Sequence, residues 1–526
     1  MKIFYSSENL NKFIKIFNSL SDKIIISFIK AINETKEGID IEYDKFIENI
    51  KEKKEMNDLF LFFSTNEKNE GMIIFKYLKF RISLVEANLK KYIYSNIDSK
   101  NDTFIQGIIS NNIIYLPENI RMEHFNNLLL RISDNNRAAY EKRIKIDRYR
   151  ALNFYEKYDD SLDKIPDIEL NETIFGQVFQ NYKDVKGNNF ILKKGDKLFS
   201  VELKGEHAID MGGPYHEIIS SICNELQSDY VDLFIKSPNN KNNLGQLRDK
   251  YIINPNANKN IHNKAYEFIG KLMAMSIFTG EALNLNLHPI VWKNILEKKV
   301  DFEEYETIDL IFFNFINELD KGLKNKDHTL INSLDLNFII KNSNESNIEL
   351  IENGKENKVN FDNLKNYIKL AKSKRINEFE TQIKYIKKGL YSAVDKIVLQ
   401  ILDLEQLEEM VCGKNKLDVI DFKNHTEYYG YKNDDKEIIW FWEWLQNTKE
   451  ENQFKYLKFV SGRTRLPKSG FGFEYRHIIS KINQQNSLPS SSTCFFTLKL
   501  PIYSSKNILI EKMEYAIENC IDINDH

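Results

Sequence analysis

A single hydrophobic core cannot organise a chain of 526 residues, because compact cores stop growing at about 250–300 residues. We therefore expect roughly three structural units. Two polar, turn-rich stretches indicate where they divide, one at about residues 155–175 and one near residue 414. Residues 1–155 are predicted to be mainly helical, with an unknown role, since apolar residues recur three and four positions apart in ENLNKFIKIFNSL and FKYLKFRISLVEANLKKYIY.

Composition and charge exclude several classes of protein. Hydrophobic residues make up 42% of the chain, which is enough for folded cores, and the formal net charge is only −3. A nearly neutral chain without a long apolar run or a signal-peptide pattern indicates no nucleic-acid partner and no membrane partner. The four cysteines form no CxxC pair and no metal-ligand spacing. These features favour the cytosol, or the nucleus as well.

Several segments have clear local patterns. FSVELKGE alternates as a strand and leads through a turn at residues 210–214 into the helix HEIISSICNEL. AYEFIGKLMAMSIFTGEALNL predicts an apolar core helix that ends at Thr279 and Gly280. NIELIENGKENKVN predicts a hairpin with an Asn-Gly turn at residues 353–354, and EIIWFWEWL predicts a further helix.

The last forty residues carry the pattern with the most chemistry, SLPSSSTCFFTLKLPIYSSKNILIEKMEYAIENC. Cys494 stands where a run of small hydroxyl residues enters the strand FFTLKL, which Pro501 is predicted to end. A thiol in that position can be exposed while its backbone is held, as a nucleophile that receives a bulky acyl group requires. A lone cysteine is more commonly an inert core residue. We expect this of Cys520, on the apolar stripe of a helix that Ser504 or Ser505 caps.

This segment resembles the C-terminal end of HECT ubiquitin ligases, whose pattern is Leu-Pro, Thr-Cys-Phe, Leu-x-Leu-Pro-x-Tyr, then a helix with Ala-Ile. FKYLKFVSGRTRLPKSGF also resembles that family, and its Gly-Arg-Thr-Arg-Leu-Pro is most similar to the HERC branch. Further resembling segments follow the family's order: TIFGQVF, VELKGEHAIDMGGPYHEI, FIGKLMAMSIFTGEALNL, IELIENGKENKVNFDNLKNYIKL and LEQLEEMVCGKNKLDV. The resemblance covers residues 171–526.

The resemblance implies a bilobal α+β fold. A mostly helical N-lobe over residues 171–413 and a small α/β C-lobe over residues 414–526 would be joined by a hinge from Gly413 to Lys416. It also implies that Cys494 accepts ubiquitin as a thioester from a ubiquitin-conjugating enzyme and passes it to a lysine of a protein substrate. No cofactor and no metal are implied for this chemistry.

Further residues are carried over by position. Backbone donors near Thr493 and Phe495 would stabilise the developing oxyanion. Ile523 stands four places from the C-terminus, where some relatives have a hydrophobic residue that assists ligation. From their helical spacing alone we interpret three phenylalanines as core, but their position in the resemblance favours docking of the conjugating enzyme within residues 286–345. These phenylalanines are Phe312, Phe313 and Phe315.

Two alternatives remain open. Cys494 with His477 or His425 would form the dyad of a cysteine hydrolase, although neither histidine lies in a recognisable signature. A noncatalytic scaffold of the same fold is supported only by Ser492, because many relatives have a histidine directly before the Thr-Cys pair.

Overall fold

The structure is a computed structural model, and it describes residues 27–29, 31–32, 41–51, 53, 56–64, 68, 71–80, 82–83, 118–136, 142–167, 169–205, 213–326, 328, 334–414, 417–461, 476–492 and 496–519. The chain divides into two compact units. The first consists of residues 1–132 and 395–403, and the second of residues 133–394 and 404–526. Among the residues described, no helix has both the length and the apolar character needed to span a membrane.

Helices dominate both units. In the described part of the chain they are α1 (Tyr43–Lys51), α2 (Asn57–Ser64), α3 (Glu118–Asn135), α4 (Arg148–Asp160), α5 (Ile174–Tyr182), α6 (Gly213–Leu226), α7 (Pro238–Asn242), α8 (Asn260–Thr279), α9 (Pro289–Ile295), α10 (Leu310–Lys324), α11 (Leu364–Ile376), α12 (Glu380–Tyr391), α13 (Lys396–Leu399), α14 (Leu404–Cys412), α15 (Val419–Asn424), α16 (Lys436–Asn447), α17 (Glu450–Ser461) and α18 (Lys506–Glu518). Residues 71–80 are also helical. Short 3-10 helices cover Gly187–Phe190 and Phe302–Thr307.

The strands of the described residues form four small sheets. They are β1 (Lys142–Ile146), β2 (Phe199–Leu203), β3 (Phe234–Lys236), β4 (Tyr251–Ile253), β5 (Ile339–Lys341), β6 (Asn347–Glu349), β7 (Thr426–Tyr429), β8 (His477–Gln485), β9 (Ser490–Ser492) and β10 (Thr497–Ile502). The first six strands pair two by two in chain order, and the last four form one sheet in the order β7-β8-β10-β9. The predicted α+β class is therefore confirmed.

The first unit is built around aromatic side chains. Phe28 and Phe46 each contact Phe63 and Phe75, with ring centroids 5.1 to 6.2 Å apart. Such pairs add to the stabilisation that burial alone provides. The predicted helical character of the N-terminal region is confirmed where the structure describes it, while the segment ENLNKFIKIFNSL lies outside the described residues.

Residues 395–403 also belong to the first unit. The guanidinium of Arg121, on α3, donates a hydrogen bond of 3.0 Å to the Asp403 carboxylate and one of 3.4 Å to the carbonyl oxygen of Ile401. Apolar side chains of this segment are almost completely buried, namely Val398, Leu399, Ile401 and Leu402. Residues 395–403 lie within the stretch predicted as the N-lobe, residues 171–413, and they belong to the compact unit that contains residues 1–132.

The second unit begins before the boundary predicted at residues 155–175. Strand β1 pairs in parallel with β2, from Lys142 opposite Phe199 to Ile146 opposite Leu203. Helix α4 follows and packs through aromatic side chains, since the rings of Tyr155 and Tyr230 stack with centroids 4.6 Å apart. Residues 142–160 are therefore part of this unit, and the predicted connector lies inside it rather than at its edge.

Helix α8 is the predicted apolar core helix, and it ends as predicted at Thr279. Gly280 then adopts φ 79°, the left-handed conformation that glycine tolerates best. Helices α8 and α12 cross at very close range, and each has a glycine at the crossing, Gly270 in α8 and Gly389 in α12. A Cβ atom on Gly270 would overlap the carbonyl oxygen of Ile386, and one on Gly389 would overlap that of Glu267.

The prediction of a hairpin around residues 353–354 is wrong. The segment NIE is the second strand of a different hairpin, in which β5 pairs with β6 in antiparallel fashion. Asn353 does adopt φ 53°, but the chain after it returns only as a single bridge between Asn337 and Lys358. The Asn-Gly pair therefore makes a turn without a following strand.

The C-terminal part of the second unit has one hydrophobic cluster of its own, formed by buried residues from Leu417 to Ile517. The predicted helix EIIWFWEWL is α16, and the predicted cap of α18 is confirmed, because the Ser505 hydroxyl accepts a hydrogen bond from the Ile508 amide. Strand β10 continues through Pro501 instead of ending before it. This is possible because β9 pairs only with residues 497–499, so β10 has no partner on that side at the proline.

Candidate active site

The candidate nucleophile follows β9 and precedes β10 in the sequence, and these two strands are paired. Ser492, the last residue of β9, is opposite Thr497, the first residue of β10, and the two strands run antiparallel. The four intervening positions include Thr493, Cys494 and Phe495, which lie outside the described residues. Because residues directly opposite each other have Cα atoms about 4.5–5.5 Å apart, both ends of this connection are fixed in one sheet.

Phe496, the residue after these three, is held by its backbone and its ring. Its carbonyl oxygen accepts a hydrogen bond of 3.0 Å from the Ile478 amide. The residue is only 8% exposed, and its ring lies 5.8 Å from that of Phe422 and 5.1 Å from that of His477, measured between centroids. Its φ of 48° is unusual for a bulky residue. The chain therefore enters β10 through a conformation that the surrounding core enforces.

His477 is a core histidine with both ring nitrogens engaged. Nε2 lies 2.7 Å from the Tyr456 hydroxyl, and Nδ1 lies 3.0 Å from the hydroxyl oxygen of Thr426. Since the Thr426 hydroxyl donates to the carbonyl oxygen of Phe422, its oxygen accepts from Nδ1–H, and the Tyr456 hydroxyl donates to Nε2. Burial lowers the pKa of His477 to about 3. This histidine is not available as the base of a hydrolase dyad.

His425, the other candidate base, lies at the end of α15. Its side chain is 46% exposed, and its Nδ1 is 2.8 Å from the carbonyl oxygen of Asp421, one turn earlier in the same helix. The ring thus contacts its own helix end.

The three phenylalanines of α10 have different environments. Phe312 is buried, with the Arg375 guanidinium 4.5 Å from its ring centroid, so its side chain packs within the core of this unit. Phe313 and Phe315 are half-buried. Ile311 was not singled out in the sequence, but it is 55% exposed and is the most accessible large apolar side chain of the helix.

The predicted hinge begins where α14 ends. Gly413 adopts φ 73° and donates its amide hydrogen to the carbonyl oxygen of Glu409, a left-handed helix end that suits glycine. Residues 415–416 lie outside the described residues, as do Cys520 and Ile523. The remaining cysteines, Cys223 and Cys412, are both buried.

Comparison with known proteins now identifies the family. The family described as HECT-domain (ubiquitin-transferase) matches residues 220–523, which include Cys494 and both paired strands around it. This chain belongs to the HECT family. The membership predicted from the Thr-Cys-Phe segment is thereby confirmed.

Individual HECT relatives support the same assignment. The chain is 31% identical over 362 residues to the human E3 ubiquitin-protein ligase HERC2. The aligned stretch is 68% of this chain and 7% of HERC2. It is 31% identical over 335 residues to the E3 ubiquitin-protein ligase pub3 of Schizosaccharomyces pombe, and 28% identical over 335 residues to pub1 of the same yeast. These matches span 41% of pub3 and 42% of pub1, so the chain covers less than half of each relative.

Proposed function

We propose that this chain is a ubiquitin ligase in which Cys494 carries ubiquitin as a thioester. The HECT family match across residues 220–523 carries this proposal, because it includes Cys494 in its Thr-Cys-Phe segment. In the first step the Cys494 thiolate attacks the thioester carbonyl that joins ubiquitin to a conjugating enzyme. A new C–S bond forms, the old one breaks, and the thiolate of the conjugating enzyme leaves.

The second step transfers ubiquitin to a substrate. The amine of a substrate lysine attacks the Cys494 thioester, an isopeptide bond forms, the amine loses a proton, and Cys494 leaves as a thiolate. Backbone donors near Thr493 and Phe495 would stabilise the oxyanion of both tetrahedral intermediates. The pairing of Ser492 with Thr497 supports this role, because it fixes both ends of the short connection that contains these residues.

Two lobes with a hinge suit this pair of reactions, since Cys494 must meet first a conjugating enzyme and then a lysine. We assign the N-lobe to residues 171–413 and the C-lobe to residues 414–526, with the hinge from Gly413 to Lys416. The separate hydrophobic cluster from Leu417 to Ile517 supports an independently packed C-lobe. The left-handed Gly413 supports a break in the helix at the hinge.

The remaining roles follow by position in the family. The conjugating enzyme would dock within residues 286–345, at helix α10, which carries Phe312, Phe313 and Phe315, and the exposed Ile311 supports an accessible surface on this helix. Ile523 would assist the transfer to lysine. We propose the cytosol or nucleus as the location, because the cysteines of the sequence form no disulfide pattern.

Ser492 does not prevent this chemistry. A thiol with an ordinary pKa of about 8.5 is a few per cent ionised at neutral pH. Exchange of one thioester for another is nearly balanced in energy, so this fraction of thiolate is sufficient. The scaffold alternative has Ser492 as its only support.

The decisive experiment compares the full chain with Cys494→Ala. Each protein is mixed with ubiquitin, activating enzyme, ATP and a panel of conjugating enzymes, then quenched early and separated with and without reductant. We expect a reductant-sensitive ubiquitin adduct on the unmodified chain and none on Cys494→Ala. Cys520→Ala is the matched control, because we predict a core role for that cysteine, and it should retain the adduct.

Two results would contradict the proposal. An adduct that persists in Cys494→Ala would place the nucleophile elsewhere. Failure to form any adduct, with a panel that charges another HECT ligase in parallel, would favour the scaffold alternative.

A further inference from the structure

A buried charged cluster lies beneath the region assigned to the conjugating enzyme. Arg375, at the end of α11, has a side chain that is 1% exposed. Its Nη2 is 2.9 Å from an oxygen of Asp309, and its Nε is 3.5 Å from an oxygen of Glu378, whose side chain is also 1% exposed. Removing ionised groups from water carries a large penalty, which close pairing and additional hydrogen bonds must offset.

Those additional bonds join Arg375 to the β5-β6 hairpin. Its Nη1 donates 2.9 Å to the carbonyl oxygen of Lys341, the last residue of β5, and its Nη2 donates 3.1 Å to the hydroxyl of Ser343. Glu378 accepts from both the hydroxyl and the amide of Ser343, at 2.6 and 3.1 Å. The Tyr305 hydroxyl, from the 3-10 helix before α10, donates to the carbonyl oxygen of Arg375.

The same cluster fixes the beginning of α10. Asp309 is the N-cap of that helix, because its Oδ1 accepts a 2.9 Å hydrogen bond from the Phe312 amide while its Oδ2 pairs with Arg375. The guanidinium also lies against the Phe312 ring. The position and direction of the first turn of α10 therefore depend on Arg375, and this turn carries the exposed Ile311.

We propose that Arg375 is a positioning residue for thioester transfer from the conjugating enzyme, because it sets the direction in which α10 presents Ile311 and Phe315, which lie four residues apart on one face of the helix. This inference rests on the proposed function and adds to it a residue that contacts neither ubiquitin nor Cys494. Stability alone is a weak reason for such a cluster, since apolar side chains of similar volume commonly stabilise a core as well or better. The planar guanidinium instead defines a single geometry between α10, the β5-β6 hairpin and Glu378, which follows α11.

The test separates docking from chemistry by using two donors of ubiquitin. One donor is the thioester of ubiquitin with the conjugating enzyme, and the other is a thioester of ubiquitin with a small thiol, which reacts with Cys494 without docking. The variants are Arg375→Lys, which keeps the charge but loses the planar donors, and Asp309→Asn, which keeps a capping oxygen but loses the charge.

We expect both variants to raise the apparent KM for the conjugating-enzyme thioester by about tenfold, with little change in kcat. Their rates with the small-thiol thioester should stay within about twofold of the unmodified chain. Lys374→Ala is the matched control, since this neighbour of Arg375 is exposed on the same helix and should behave as the unmodified chain does with both donors.

Three outcomes would overturn the inference. If both donors are affected equally, the cluster has only a structural role. If neither donor is affected in variants whose thermal unfolding shows an intact fold, the cluster does not position the docking helix. If the unmodified chain accepts ubiquitin from neither donor, the proposed function fails, and this inference fails with it.

Discussion

Burial keeps the imidazole of His477 neutral in the folded protein, where its pKa is lowered to about 3. The unfolded chain takes up a proton below about pH 6.5, whereas the folded chain does not until about pH 3. The contribution to stability is therefore complete above about pH 6.5 and is lost progressively as the pH falls toward 3. Between pH 7 and 5 we expect this residue to lower the free energy of unfolding by about 2 kcal/mol.

Tryptophan fluorescence during urea unfolding measures this effect, because three of the four tryptophans lie on α16, beside His477. In His477→Gln the loss of stability between pH 7 and 5 should be smaller by that amount, whatever the absolute stability of the variant. His288→Gln should reduce the pH dependence by a similar amount, because burial also lowers the pKa of His288, to about 4. An unchanged pH dependence in His477→Gln would contradict the assignment.

Local signals at single residues were readable from the sequence, whereas contacts between distant residues were not. Gly280 and Ser505 act as helix ends because backbone conformation and a capping hydroxyl are properties of a few neighbouring residues. The burial of Phe312 depends on Arg375, 63 positions later in the chain. The positive φ of Phe496 could not be predicted from the sequence, because steric preference opposes it and the ring packs beside His477, on another strand.

Among the elements, the crossing of α8 and α12 gives a sharp prediction for stability. Replacement of Gly389 by alanine favours the helix by about 1 kcal/mol. The new methyl group would overlap the carbonyl oxygen of Glu267, a backbone atom that cannot rotate away. Overpacking of this kind costs about 3 kcal/mol. We therefore expect Gly389→Ala to lower the free energy of unfolding by about 2 kcal/mol.

Urea unfolding followed by circular dichroism tests this expectation. Lys384→Ala, at an exposed position of the same helix, should change stability by less than about 0.5 kcal/mol. A stabilised Gly389→Ala would show that the two helices separate easily and that their close approach is not required.

Elements with a strong local period were predicted correctly, and elements defined by their pairing were not. Helices α8 and α16 have long apolar patterns that survive in any tertiary context. The β5-β6 hairpin has strands of three residues each, too short for alternation to identify them. The Asn353–Gly354 pair predicts a separate hairpin centred on that turn, whereas the strand pairing of β5 with β6 ends before it.

The extent of the folded unit is a property of the whole molecule. Resemblance to the HECT family begins at residue 171, but β2 pairs with β1 at residues 142–146, which precede that point. The folding of residues 395–403 also depends on residues before 171, because this segment belongs to the compact unit of residues 1–132. No local pattern in the sequence could show that a stretch within the predicted N-lobe packs with residues so far before it.

We therefore predict that a fragment of residues 171–526 is markedly less stable than the full chain, and that a fragment of residues 133–526 is intermediate. The shorter fragment lacks β1, so the backbone groups of β2 lose their partners. Both fragments lack the residues that bury Val398, Leu399, Ile401 and Leu402, each worth about 1.5–3 kcal/mol when fully buried.

Thermal unfolding should occur at least about 5 °C lower for residues 171–526 than for the full chain, and binding of a hydrophobic dye should increase. Equal unfolding temperatures for the full chain and residues 171–526 would show that the HECT segment folds without either contribution.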